Sequence, residues 1–276
     1  MAFLIGNFYL CSKQFRMIIH FEKYQGTGND FVMLNNLDGR YDGLTIQQIV
    51  MICDRRFGVG ADGLIKIDKH ADLDFEMDYY NSDGSKSFCG NGARCAVTFA
   101  GTLGVDVSST RFMAIDGEHT AALSGECVCL DMLPVDSVYQ LDKDFVLNTG
   151  SPHYVRYVND LSVENVVEVG KDIRYSEPYK KEGINVNLVE ELTDHSIRIL
   201  TYERGVEDET LSCGTGATAC ALTLGLKHGA LGLKAVDVKV KGGELRVEFE
   251  QLPDGNFRNV KLIGPAAYVF KGEMNV

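Results

Sequence analysis

Two closely similar phrases in this chain each open with a cysteine: CGNGARCAVTFAG from Cys89 and CGTGATACALTLG from Cys213, 124 residues apart. In each, the cysteine precedes a glycine-rich turn and then an apolar run of helical length. That places both sulfurs at helix starts, with Gly90 and Gly92, or Gly214 and Gly216, clearing side chains from the approach. The free N–H groups and positive end of such a helix seat an anion, a carboxylate for example, and favour thiolate over thiol. A thiol with a pKa near 8.5 is only about 3% ionised at pH 7, so this field would matter.

Two such sites facing one cleft suggest a reaction. A carboxylate gripped between the helix starts would leave its α-carbon with one sulfur on each side. One thiolate would remove the α-proton while the other thiol delivers a proton to the opposite face, inverting the centre. Donors on the carboxylate would stabilise the charge that builds up as the proton leaves.

Other uses of these cysteines fit less well. A single activated nucleophile leaves the second phrase unexplained, and a non-catalytic amino-acid-binding or redox protein would bind without exchanging hydrogen. A metal site lacks any Cys-x-x-Cys pair among the eight cysteines. Along a helix, Cys89 and Cys95 would diverge by about 600°, and Cys213 and Cys220 would stand roughly 10 Å apart. Cys127 and Cys129 alternate along a strand and share one face. GVGADG, from Gly58, matches a dinucleotide fingerprint in letters, but a helix precedes it and a strand follows, the reverse of what pyrophosphate binding needs. No cofactor or metal is expected.

The elements that must position the sulfurs also occur twice. FMAIDGEHTAAL reads as a hairpin turning at Asp116 and Gly117, and VKVKGGELRVEF as one turning at Gly242 and Gly243. Thr27 and Thr149 begin a looser matching pair. Leu73, Phe75, Met77 and Tyr79 alternate as in a strand, as do Ile197, Ile199 and Thr201. The stretches after both cysteines are apolar nearly all round, so those helices should be buried. Thr45 to Phe57 reads as a peripheral amphipathic helix with Thr45 as N-cap.

The expected fold class is α+β, with two pseudo-symmetric halves. Each half would be a mostly antiparallel or mixed β-sheet or barrel wrapped round a central buried helix. Residues 17–138 would carry Cys89 and residues 139–263 Cys213, and a C-terminal strand at about 264–274 would pack back on the first half. Residues 1–16 read as a dispensable extension. The formal charge of −12 argues against a nucleic-acid surface, and no apolar run approaches the roughly 20 residues that span a bilayer. Without a recognisable secretory signal, the cysteines read as cytoplasmic thiols.

From Met17 onward the sequence closely resembles the diaminopimelate epimerases. The resemblance rests on GTGNDF from Gly26, DRRFGVGADG from Asp54, NSDGSKSFCGNGARC from Asn81, GSPH from Gly150 and YERGVEDETLSCGTGA from Tyr202. It implies cofactor-independent interconversion of LL- and meso-diaminopimelate, an isomerase reaction serving lysine and peptidoglycan precursors, and a homodimer. It implies Cys89 and Cys213 as the acid–base pair, with backbone N–H groups of Gly90, Asn91, Gly214 and Thr215 on the reacting carboxylate. Asn29 would contact the ammonium at the reacting centre, and Asn81, Asn185 and Arg204 the distal end. Glu203 would help bind the distal ammonium and, with His153, tune the thiols. Gly63 stands where the family commonly has Gln, and Ser151 where Asn is common, so Ser151 is the weakest of these candidates. The loop from Asn81 to Cys89 looks one residue shorter than usual, and that from Glu203 to Cys213 one longer.

Overall fold

The computed structural model describes residues 17–229 and 231–276, so the expectation for residues 1–16 lies outside the described residues. The first half contains β1 (Ile18–Gly26), β2 (Asn29–Asn36), β3 (Gly63–Asp68), β4 (Phe75–Asn81), β5 (Thr110–Ala114), β6 (Gly117–Ser124) and β7 (Cys127–Asp131). Its helices are α1 (Ile46–Cys53) and α2 (Gly90–Thr102). The second half runs through β8 (Val138–Leu141), β9 (Asp144–Asn148), β10 (Pro152–Val158), β11 (Asn185–Thr193) and β12 (Ser196–Glu203). It continues with a short β13 (Asp208–Thr210), β14 (Gly232–Val240), β15 (Gly243–Gln251) and β16 (Phe257–Pro265), with helices α3 (Val166–Arg174) and α4 (Gly214–His228). The chain finishes in β17 (Ala267–Asn275).

Strand pairing shows the duplication directly. From β1 to β7 each strand pairs with the next, in the order antiparallel, parallel, antiparallel, parallel, antiparallel, antiparallel. From β9 to β16, with β13 set aside as an extra edge on β12, the order is the same. β7 and β16 join the halves as an antiparallel pair. The terminal strands cross over: β8 pairs with β9, and β17 returns to pair with β1.

Each sheet wraps its own helix. Around α2 pack Phe31, Ile65, Phe75, Phe112, Val128 and Leu130; around α4 pack Val155, Val189, Ile199, Val247, Phe249 and Leu262. Both helices can be buried on every side because their small residues let the sheet approach closely. A Cβ at Gly225, for instance, would lie 2.9 Å from the Phe249 ring. The helices α1 and α3 cover the outer faces instead, so β3 sends Ile65 and Ile67 towards α2 and Leu64 towards α1. Apolar residues on both faces of such strands explain why they do not alternate cleanly in sequence.

Two boundaries differ from the expectation. The helix capped by Thr45 stops at Cys53 rather than Phe57, because the Asp54 carboxylate accepts hydrogen bonds from the N–H groups of Arg56 and Phe57 and turns the chain. Both hairpins turn one residue earlier than expected. Ala114 pairs with Gly117, and Val240 with Gly243, so each glycine opens the returning strand.

Leu262 in β16 pairs opposite Leu130 of β7, and its side chain lies beneath both helix starts. A Cβ at Gly90 would meet it at 3.6 Å, and one at Gly214 at 2.8 Å. Leu262→Ala should therefore cost about 2–5 kcal/mol, measured by denaturant unfolding, as for other truncations of fully buried leucines.

Candidate active site

The matched registers place the candidate residues in equivalent positions. Phe31 lies beside Gly63, and His153 beside Asn185, in parallel pairs. Gly63 faces Asn81 across β3 and β4, and the pairing of Val186 with Tyr202 brings Asn185 next to Glu203 in the same way. Thus Asn29 corresponds to Ser151, Gly63 to Asn185 and Asn81 to Glu203, each 122 residues apart. Both turns that lead into this row use a glycine at positive φ, +89° at Gly28 and +105° at Gly150, where a side chain would be strained.

Cys89 and Cys213 are the N-cap residues of α2 and α4, both in extended backbone conformation and neither capping its helix with its side chain. First-turn N–H groups therefore remain available, and those of Gly92 and Asn91 point at the Cys89 sulfur, that of Gly216 at the Cys213 sulfur. The two helix starts meet. The Asn91 amide on α2 donates to the Ser212 carbonyl, 3.0 Å away, immediately before Cys213. Arg94, fully buried, locks this junction. It donates to the Asn91 carboxamide oxygen at 3.0 Å, to the Thr27 hydroxyl at 3.1 Å and to the Pro265 carbonyl at 3.3 Å. Thr27 in turn donates to the Ser212 hydroxyl at 2.7 Å.

The other candidates divide between the two sulfurs. Asn29 places its carboxamide oxygen 3.5 Å from the Cys89 sulfur, with its amide held by Asp62. Thr215 places its hydroxyl 3.4 Å from the Cys213 sulfur and 2.9 Å from His153 Nε2. Asn185 and Asn187 approach the two nitrogens of that ring at 3.5 and 3.1 Å. Arg204 lies further out. Its backbone N–H donates to the Asn185 side chain at 2.8 Å and its guanidinium to the Glu182 carbonyl at 3.0 Å; among the described residues no carboxylate pairs with it. Asn81 turns its amide to Ser85 and Ser87 and accepts from the Tyr79 hydroxyl at 2.8 Å. Ser151 holds the Thr149 N–H through its carbonyl and brings no side-chain bond to the cluster.

Burial, not the helix field, dominates the thiols. Cys89 is pushed up to about 11 by desolvation, with the Glu203 carboxylate adding to the rise and the Gly92 and Asn91 N–H groups opposing it. Cys213 is also raised, by burial first and then Glu203, against the Thr215 hydroxyl and Gly216 N–H. The expectation of a lowered thiol is therefore corrected: the N–H dipoles, the Arg94 charge near Cys89 and the Thr215 hydroxyl near Cys213 do not outweigh removal from water, and the charged form loses. Burial and the nearby Arg204 charge lower His153 to about 3, so it acts as a neutral ring that reaches Cys213 through Thr215. Glu203 is raised by its own burial, with Asp62 nearby.

Sequence reasoning missed Thr27, Asp62, Arg94, Asn187 and Ser212. Arg94 carried a signal, as the one charge within an otherwise apolar helix; the others are small polar residues in strands or turns whose partners are distant in sequence. Among the described residues no grouping of His, Cys, Asp or Glu could hold a metal, and no helix is long and apolar enough to cross a membrane.

Comparison with known proteins agrees with this geometry. The family model for diaminopimelate epimerase matches residues 21–125 and 145–267, one segment for each half. The chain belongs to the diaminopimelate epimerase family. A diaminopimelate epimerase from Flavobacterium psychrophilum is 46% identical over 90% of this chain and 97% of its own, and one from Chlorobaculum tepidum 40% identical over 91% and 99%. Among solved structures, a phenazine biosynthesis protein of the PhzF family from Bacillus anthracis superposes with a TM-score of 0.73 at 15% identity, covering 94% of this chain and all of its own. A hydroxyproline epimerase from Agrobacterium vitis gives 0.63 at 13% identity, covering 94% and 93%. These distant likenesses show the fold, which the epimerase family shares with both.

Raised thiols make a simple expectation for the free enzyme. The thiolate fraction of Cys89 should grow about tenfold per pH unit from pH 7 to 10, so its alkylation by iodoacetamide, read by mass spectrometry, should grow in step. A rate already level by pH 8 would contradict a thiol near 11.

Proposed function

We propose that this epimerase-family protein interconverts LL- and meso-2,6-diaminopimelate without a cofactor, by proton transfer between Cys89 and Cys213. The observation that carries this reading is the meeting of two cysteine-capped helix starts, with free N–H groups aimed at both sulfurs, in halves of matching register. A carboxylate seated there would take N–H bonds from Gly90, Asn91, Gly214 and Thr215, and these strengthen as the α-carbon gives up its proton.

The steps balance without an added reactant. One cysteine, as thiolate, takes the α-proton; the electron pair passes into the carboxylate; the opposite thiol then returns a proton to the other face. The product leaves with the thiolate on the second cysteine, ready for the reverse turnover. Because burial favours the protonated form of both resting thiols, one must give its proton to solvent as substrate enters, and the substrate's ammonium groups favour the anion that results. Asn29 would receive the α-ammonium, and Asn81, Asn185 and Glu203 the distal amino acid. Arg204, with no carboxylate partner, would clamp the distal carboxylate. Ser151 would add a minor contact, while His153 and Glu203 tune the thiols.

In this reading the protein works in the cytoplasm, in the making of lysine and peptidoglycan precursors. A second copy would pack on it as a homodimer. Tyr268, Val269 and Phe270, each 43–51% exposed on the edge strand β17, support such a contact.

In heavy water, proton NMR of pure LL-diaminopimelate should show loss of the α-hydrogen signal and growth of the meso isomer. Cys89→Ala and Cys213→Ala should each lose at least about a thousandfold in kcat, since removing either acid or base stops the transfer. Substantial turnover by either variant would refute the scheme. Proline, which has one carboxylate and no distal amino acid, should not react.

A further inference from the structure

The two halves are not chemically equal at the residue that opens the third strand of each motif. In the second half it is Asn185, whose amide faces the site. In the first it is Gly63, which offers no side chain. The place a side chain would take is already filled: a Cβ on Gly63 would lie 2.4 Å from the Tyr79 ring, 2.5 Å from the Tyr80 carbonyl oxygen and 3.0 Å from the Tyr79 hydroxyl oxygen. Tyr79 comes from β4, two residues before Asn81; its counterpart in the second half is Thr201, far too short to reach across in this way.

The setting of that hydroxyl is specific. It donates to the Asn81 carboxamide oxygen at 2.8 Å, so its proton is committed. The oxygen keeps lone pairs that can only accept. The ring is held by edge-on contact with Phe31, with centroids 5.8 Å apart, and only 7% of the residue is exposed. Besides burial, the Asp62 and Glu203 carboxylates oppose ionisation of the hydroxyl. A neutral acceptor in the field of two carboxylates suits a cation that donates N–H bonds.

We infer that the Tyr79 hydroxyl, standing in the notch left by Gly63, accepts a hydrogen bond from the ammonium group of the amino acid bound between Cys89 and Cys213. The assignment rests on the amino-acid substrate proposed above. It makes the glycine and the tyrosine one unit: the missing side chain on β3 is the condition for the ring on β4 to reach the site. It also accounts for the absence of an amide at Gly63, since a neighbouring strand supplies a polar group in its place.

The tests are Tyr79→Phe, Asn81→Ala and the double variant Tyr79→Phe/Asn81→Ala, each assayed for kcat, KM and α-hydrogen exchange, with thermal melting as a control. Tyr79→Phe keeps the ring and should melt close to wild type while kcat/KM falls about ten- to a hundredfold, the loss of one hydrogen bond to a charged group. In the Asn81→Ala background Tyr79→Phe should cost a further loss of similar size, because the hydroxyl meets the substrate directly. A Tyr79→Phe enzyme with wild-type kinetics overturns the assignment. A loss in Tyr79→Phe that disappears in the Asn81→Ala background overturns it too, leaving Tyr79 only as a support for Asn81. If instead the wild-type protein exchanges no α-hydrogen, the failure lies in the proposed function, and this contact falls with it.

Discussion

Two helix N-termini directed at one point are the constraint around which the rest of this molecule is arranged. Two positive helix ends repel, so the meeting of α2 and α4 start to start calls for groups that bind the junction. The protein does this partly with its own atoms. Asn91 reaches across to the Ser212 carbonyl, Thr27 to the Ser212 hydroxyl, and Leu262 lies under both glycines that follow the cysteines. The first-turn N–H groups of Asn91, Gly92 and Gly216 point at the sulfurs, and such a positive end is suited to a bound anion.

Arg94 is the other half of that economy. A fully buried guanidinium without a carboxylate partner is expensive, and here it is compensated by neutral oxygens of Gly90, Asn91, Thr27 and Pro265. Those oxygens belong to α2, the first turn and the last turn before β17, so a single side chain ties three distant segments. Its charge also lies near Cys89 and works against the desolvation of that thiol. The net result still favours the neutral sulfur. In the proposed reaction, which needs one thiolate, that anion would therefore have to form as the site fills.

In the proposed reaction, duplication would set acid and base on opposite sides of one carbon. Matching strand registers set Cys89 and Cys213 in equivalent surroundings, and yet the partners differ. Cys89 has Asn29, Asp62 and Tyr79 nearby; Cys213 has Thr215, His153 and Asn187. Symmetric backbone with asymmetric side chains suits the proposed substrate, which has one reacting and one inert amino-acid end.

Much of this was legible in the residues themselves. A cysteine and small residues followed by an apolar run of helical length mark the start of a buried helix, so both helix starts follow from hydrophobic patterning. The two-fold repetition, the hairpins and the buried character of both helices follow from periodicity. Sequence suggested that a C-terminal strand would return to the first half, but not that it pairs with β1, nor which strands pair across the repeat, nor that Tyr79 enters the notch at Gly63. Those depend on contacts between residues tens to hundreds of positions apart, for which local propensity carries no information. The sign of the thiol shift was likewise beyond reach: a helix N-terminus is a local feature, whereas exclusion of water is decided only when both halves close around the sulfurs.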